Sequence, residues 1–275
     1  MNKSMSTPAR VLRWTAGTKP ARVMDHLVIE EPLEIQVDTR PIVVTMRTPG
    51  HDDELAAGFL FTEGLIRRRQ DVVKIAPYFQ NKFGNALDVF LSPGVTVDLA
   101  QMERHTFASS SCGLCGKTSI DNVHRHFPKL KSRFVVPVAV IAGLPAKLRR
   151  AQATFEQTGG LHAAAIFDAR GRLLVLREDV GRHNAVDKVI GYALLRRLLP
   201  CDRHVLIVSG RASFEILQKA LAARIPIVAA VSAPSSLAVN FAAASGQTLV
   251  GFLREDRMNV YSRPGRIVFR WRART

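Results

Sequence analysis

His204-Val205-Leu206-Ile207-Val208, running into Ser209-Gly210-Arg211-Ala212-Ser213, is the stretch on which the fold turns. It reads as a short apolar strand ending in a loop of small residues, hydroxyls and one Arg. The same unit recurs downstream, with a helix over 214–223, a strand over 227–231, a helix over 236–244 and a strand over 248–252. Upstream, 163–167 and 173–176 flank an Arg170-Gly171 turn and predict a hairpin. A helix over 185–199 follows, with Val186, Val189, Ile190, Ala193 and Leu194 on one face. Short apolar strands that alternate with helices pair in parallel and are covered on both faces, so a three-layer α/β sheet is expected.

In such sheets ligands sit where loops leave the carboxyl ends of the strands. Here those loops are 209–213, Ser232-Ala233-Pro234-Ser235-Ser236 and Phe252-Leu253-Arg254-Glu255-Asp256-Arg257. Arg182-His183-Asn184, at the start of the helix after the hairpin, is a fourth such end. Helix N-termini offer free amides to anions, and four converging ends point to a phosphate-bearing ligand. Ser209, Arg211, Arg182 and His183 are the candidate contacts, although a histidine at that position also suits a helix cap. Glu178 and Asp179 are expected to be engaged by local Arg, and Cys201 to be a lone structural cysteine.

The first half reads differently. Leu27, Ile29, Leu33, Ile35, Val37, Ile42, Val44 and Met46 fall at period two around Pro32 and Pro41, which predicts three short antiparallel strands. A helix over 51–65 is expected next, with Asp52, Asp53 and Glu54 in its first turn and Gly64 at its end. Strands over 72–79, 86–91 and 95–99, then helices over 118–127 and 146–157, complete this region. The fold class expected is an α+β domain over 25–145 followed by an α/β domain over 146–275, with residues 1–24 as a basic, flexible extension.

At 275 residues and 47% hydrophobic composition, the chain is long enough for one large or two ordinary domains. It has no apolar run long enough to span a bilayer and no apolar signal core. Three cysteines argue against a disulfide scaffold, so a cytoplasmic setting is expected. The net charge of +16 would attract polyanions: a nucleic acid, a nucleotide-bearing cofactor or an acidic protein.

Two of the three cysteines stand in Ser109-Ser110-Ser111-Cys112-Gly113-Leu114-Cys115-Gly116-Lys117. A neighbouring thiol, a cation such as Lys117 and a helix start each lower a cysteine's pKa, and the small residues leave the sulfur accessible. Half of a zinc site would need a second ligand pair, and His124 and His126 are too close together to supply one. A thioredoxin-like dithiol would lie early in a βαβ unit. Gly116-Lys117-Thr118 is not a phosphate loop, because Ser111 stands where that pattern needs glycine. What remains is covalent sulfur chemistry or a redox sensor.

The cysteine stretch, Glu178-Asp-Val-Gly-Arg-His-Asn-Ala-Val-Asp-Lys188, Ser209-Gly-Arg-Ala-Ser213 and Val231-Ser-Ala-Pro-Ser-Ser236, in this order, resemble the formate dehydrogenase accessory sulfurtransferase family, FdhD. The resemblance implies a sulfur carrier that takes a persulfide from a cysteine desulfurase. It would then sulfurate the molybdenum (or tungsten) bis(molybdopterin guanine dinucleotide) cofactor before that cofactor enters formate dehydrogenase. It further implies that Cys112 carries the persulfide, that 252–257 binds the cofactor, that the second domain is cytidine-deaminase-like and that the protein is a homodimer. Neither a resident metal nor a membrane or nucleic-acid partner belongs to that picture. Cys115 is then a helper or resolving thiol. Deaminase chemistry is unexpected, since neither His-x-Glu nor Pro-Cys-x-x-Cys occurs. One departure is Glu255-Asp256, which would repel a pyrophosphate unless Arg254 and Arg257 offset them. The rival reading is a basic nucleic-acid- or nucleotide-binding protein whose Cys pair responds to redox state or metal.

Overall fold

The computed structural model describes residues 4–78, 84–95, 123–124 and 126–269. Strands β1 (Ser6–Arg13) and β2 (Ala21–Val28) form an antiparallel ribbon with Val11 opposite Val23. The region expected as a basic extension, 1–24, thus carries paired strands over 6–13 and from 21 onward. Alternating residues pair across strands joined by a turn in which Thr18 donates to Thr15 and Gly17 takes a φ of 82°.

Next come β3 (Glu31–Val37), β4 (Arg40–Arg47), α1 (Asp52–Thr62), β5 (Val72–Pro77) and β6 (Ala86–Leu91). The four strands form one sheet in the order β4-β3-β6-β5, with β3 and β4 antiparallel as their spacing predicts and β3 and β6 parallel. The expected strand over 95–99 lies outside the described residues apart from Val95. Of the expected helix over 118–127, Val123, His124 and His126 are described and helical.

The chain continues through β7 (Val136–Pro137), α2 (Val138–Ala142), α3 (Leu144–Ala151) and α4 (Ala153–Thr158). A single helix over 146–157 was expected. The backbone instead breaks at Gln152, whose ψ of 71° is not helical, and the second piece ends at Gly159 in the left-handed region.

The larger sheet is built from β8 (His162–Asp168), β9 (Leu173–Asp179), β10 (His204–Val208), β11 (Ile227–Ala230), β12 (Thr248–Gly251) and β13 (Asn259–Ser262). Helices α5 (Arg182–Leu195), α6 (Phe214–Ala222) and α7 (Ser236–Ser245) connect them, and a two-residue strand, β14 (Ile267–Val268), pairs with β7. The strand order is β13-β12-β11-β10-β8-β9. β10, β11 and β12 run parallel as expected, while β8, β9 and β13 pair antiparallel.

β10 shows why this sheet needs cover on both sides. Leu206 and Val208 enter one core with α5, α6 and α7; Val205 and Ile207 enter a second with Leu144 and Leu148 of α3. The first core also holds Leu33, Ile35 and Val89 of the smaller sheet, so both sheets share one apolar interior. Their seam is the crossing of α1 and α5. There Gly58 faces the backbone of Asp187 and Gly191 faces the backbone of Glu54 so closely that neither site has room for a Cβ. Among the described residues no helix is long and apolar enough to cross a membrane.

Candidate functional site

The antiparallel hairpin and the parallel crossovers bring the predicted loops to one end of the larger sheet. Val208 at the end of β10 lies opposite Ala164 near the start of β8, which places 209–213 beside His162 and the N-terminus of α5. Ser209 is clamped there: its backbone N–H donates to the Ala163 carbonyl and its Oγ accepts from the Ala163 N–H, each at 2.9 Å. Gly210 lies close under the His162 ring: a Cβ there would stand 3.2 Å from His162 Nδ1, so the ring would have to shift by a few tenths of an ångström to admit one.

The remaining loops are tied to the first. Ala212 N–H donates to the Ala233 carbonyl, and Ser235 N–H to the Ala212 carbonyl. Phe252 N–H donates to the Ser232 carbonyl, and Arg254 Nη1 to the carbonyls of Val231 and Leu253. These bonds make the ends of β10, β11 and β12 one shelf. Three helix starts meet it: Ser235 caps α7 by accepting from Ala238 N–H, the Glu215 carboxylate in the first turn of α6 takes its own backbone N–H and the Ser213 hydroxyl, and α5 begins at Gly181 without a side-chain cap. The uncapped first turn and positive end of α5 favour an anion there.

His183 is largely withdrawn from solvent, with Nε2 3.1 Å from Ser213 Oγ and 3.8 Å from Glu215 Oε2. Burial first and the Arg182 charge second pull its pKa down to about 4, so the ring is neutral near pH 7. The fold therefore binds fewer protons than the unfolded chain, whose histidine titrates near 6.5. Stability from this group is present above pH 6.5 and lost as pH falls toward 4. Since a third of the side chain is exposed, the loss is about 1 kcal/mol. His183→Asn should flatten the decline in urea midpoint over that window; an unchanged slope would contradict the assignment.

His162 is the functional candidate that the sequence reading missed. Burial, then Arg182, lowers its pKa, with Asp179 opposing and Arg211 adding to the shift. No local motif marks it, because the Arg residues that define its surroundings come from α5 and the 209–213 loop. Arg182 has its Nε buried without a hydrogen-bond partner, and Arg211 is exposed. Phe252 takes a φ of 50°, unusual for a bulky residue, and presents an exposed ring, while Leu253 is buried and anchors the loop. Glu255, Asp256 and Arg257 are exposed. Arg254 gives its Nη1 to two backbone carbonyls, and among the described residues it makes no ion pair with Glu255 or Asp256.

Other ionisable groups are structural. Asp179 pairs with the fully buried Lys188 at 2.7 Å, and Glu178 accepts from Thr154 and Phe155 N–H, so the expected Arg partners are replaced. Lys219 lies 3.0 Å from both Asp187 and Glu63; burial opposes its charge, but these carboxylates outweigh it and raise its pKa. Cys201 is fully buried, and burial pushes its thiol up to about 12, which leaves it inert. Cys112, Cys115 and Lys117 lie outside the described residues.

Known proteins match this chain over nearly its whole length. It is 52% identical over 266 residues to the sulfur carrier protein FdhD of Mycolicibacterium paratuberculosis, covering 94% of this chain and 97% of that one. It is 50% identical to the protein of the same name in Streptomyces coelicolor, covering 95% of each. A crystal structure assigned as a formate dehydrogenase accessory protein, from Desulfotalea psychrophila, superposes with a TM-score of 0.77 at 28% identity, covering 96% of this chain and 100% of that one. The model of the FdhD/NarQ family matches residues 28–268, and with half-identical relatives along the full chain, this protein belongs to the FdhD/NarQ family.

Proposed function

We propose that this chain is a sulfur carrier required for formate dehydrogenase activity. It accepts a persulfide on Cys112 from a cysteine desulfurase and passes the sulfur to the molybdenum (or tungsten) bis(molybdopterin guanine dinucleotide) cofactor, here a substrate, before that cofactor enters formate dehydrogenase. In the loading step the Cys112 thiolate attacks the sulfane sulfur of the donor's persulfide. A new S–S bond forms, and the donor cysteine leaves as thiolate. Delivery as sulfide balances when Cys115 attacks Cys112: their disulfide forms, and the sulfane sulfur departs with the electron pair of the broken S–S bond.

The observation that carries this reading is the shelf at the carboxyl ends of β10, β11 and β12. It offers what a guanosine diphosphate end requires: the uncapped amides of α5, the orphaned Nε of Arg182, the exposed guanidinium of Arg211 and the bare ring of Phe252. Ser209 Oγ keeps its proton for a phosphate oxygen, and neutral His183 and His162 line the approach. Arg257, together with the charge of Arg254, would offset Glu255 and Asp256. Residues 25–145 would form the thiol-bearing part and 146–275 the cofactor-binding part. A relation of the latter to the cytidine deaminase fold is supported by the hairpin followed by parallel crossovers. The homodimer and the cytoplasmic setting belong to the same proposal and rest on the family likeness.

The test is calorimetric titration with GDP. Arg182→Ala and Arg211→Ala should each weaken binding about tenfold or more, as loss of a charge-assisted hydrogen bond does. Phe252→Ala should weaken GDP but spare inorganic pyrophosphate. Wild-type failure to bind GDP, or variants that bind it unchanged, would refute the assignment of the shelf.

A further inference from the structure

Apart from Val28, the ribbon of β1 and β2 lies outside the family-matched residues 28–268, and the chemistry proposed above makes no use of it. Its base is tied down: Ile29 N–H donates to the Met5 carbonyl, Thr154 Oγ1 donates to Met5 Sδ, and Val28 packs against Gly160. Beyond that base it stands on its own pairing. The cross-strand pairs Arg10–Met24 and Leu12–Arg22 share one face, because residues alternate along a strand. Leu12 is 69% exposed, Met24 56%, and Trp14, just past the end of β1, 66%. Arg10, Lys19 and Arg22 make no ion pair among the described residues; the one salt bridge on the ribbon joins Arg13 to Asp25.

A lone two-stranded ribbon gains little by exposing three large apolar side chains, and such a patch marks a contact surface. Trp, Met and Arg are the residue types that anchor protein interfaces. The charge selects the occupant. A second copy of the ribbon would bring like charges together, whereas carboxylates around an apolar pocket would complement it.

We propose that the β1–β2 ribbon is a docking arm for a protein partner whose surface offers an apolar pocket rimmed by carboxylates. On the functional reading above, on which this rests, that partner is the formate dehydrogenase polypeptide. Leu12, Met24 and Trp14 enter the pocket, while Arg10 and Arg22 pair with its rim. The arm thus holds the recipient while the sulfurated cofactor changes hands.

The experiment measures binding of the full chain to purified, cofactor-free formate dehydrogenase polypeptide from the same cell. Leu12→Ser with Trp14→Ser should weaken it about thirtyfold, and Arg10→Glu with Arg22→Glu at least as much, with wild-type affinity falling as salt rises. Unchanged GDP titrations would show that both variants remain folded. Persulfide loading of Cys112, measured in parallel, reports on the sulfur-carrier reading and not on the arm. Equal affinity of all variants, or no wild-type binding while Cys112 loads normally, overturns the proposal. So does a change confined to self-association in sedimentation, or to binding of anionic phosphatidylglycerol vesicles.

Discussion

A cell deleted for its own accessory protein and supplied with the Cys112→Ala variant should make formate dehydrogenase polypeptide in normal amount and show essentially no formate oxidation. The expected loss is complete because the attacking sulfur itself is removed: Cys115 serves in this account only to resolve the persulfide, and Cys201 cannot stand in. Cys201 is fully buried with its thiol pushed up to about 12, so it has neither access nor thiolate. Cys115→Ala keeps the carrier but removes the thiol whose attack releases sulfide, so formate oxidation should also fall while the persulfide persists on Cys112. Activity assays and immunodetection of the polypeptide in the same extracts separate a missing sulfur from a missing enzyme. Full activity with Cys112→Ala would end the sulfur-carrier account.

The second large effect lies in the frame. Gly58→Ala places its Cβ 1.9 Å from the Asp187 carbonyl oxygen, and Gly191→Ala places its own 1.8 Å from the Glu54 carbonyl oxygen. Backbone cannot turn aside as a side chain can, so α1 and α5 must separate and open the core that both sheets share. Each change should cost about 3 kcal/mol or more, enough to drive much of a marginally stable protein into the insoluble fraction. Gly265→Ala meets nothing within 4 Å and serves as the control. Urea unfolding and soluble yield give the measurement; a Gly191→Ala protein as stable as Gly265→Ala would contradict the close crossing.

What could be read from the sequence follows from where the information is local. The β10–α6–β11–α7–β12 succession was legible because each strand is a short apolar run closed by turn residues, and the 209–213 loop and Arg182-His183 were legible because they sit at the ends of such runs. His162 was not, since its surroundings are assembled from α5 and the 209–213 loop, distant in the chain. The ribbon was missed because its apolar positions, Val11 and Val23, satisfy each other across strands and leave little periodic signal within either one. The closeness of α1 to α5 rests on two glycines whose meaning appears only when the helices meet. Arg254 shows what local reading leaves out: besides any phosphate contact, the fold uses its Nη1 to brace Val231 and Leu253.

The central claim is that one thiol of this chain carries sulfur, and mass spectrometry tests it directly. The purified protein, incubated with a cysteine desulfurase and cysteine and then digested without reductant, should yield the peptide bearing Cys112 heavier by one sulfur atom. Added mass found only on Cys115 or Cys201, or on no cysteine at all, would contradict the account.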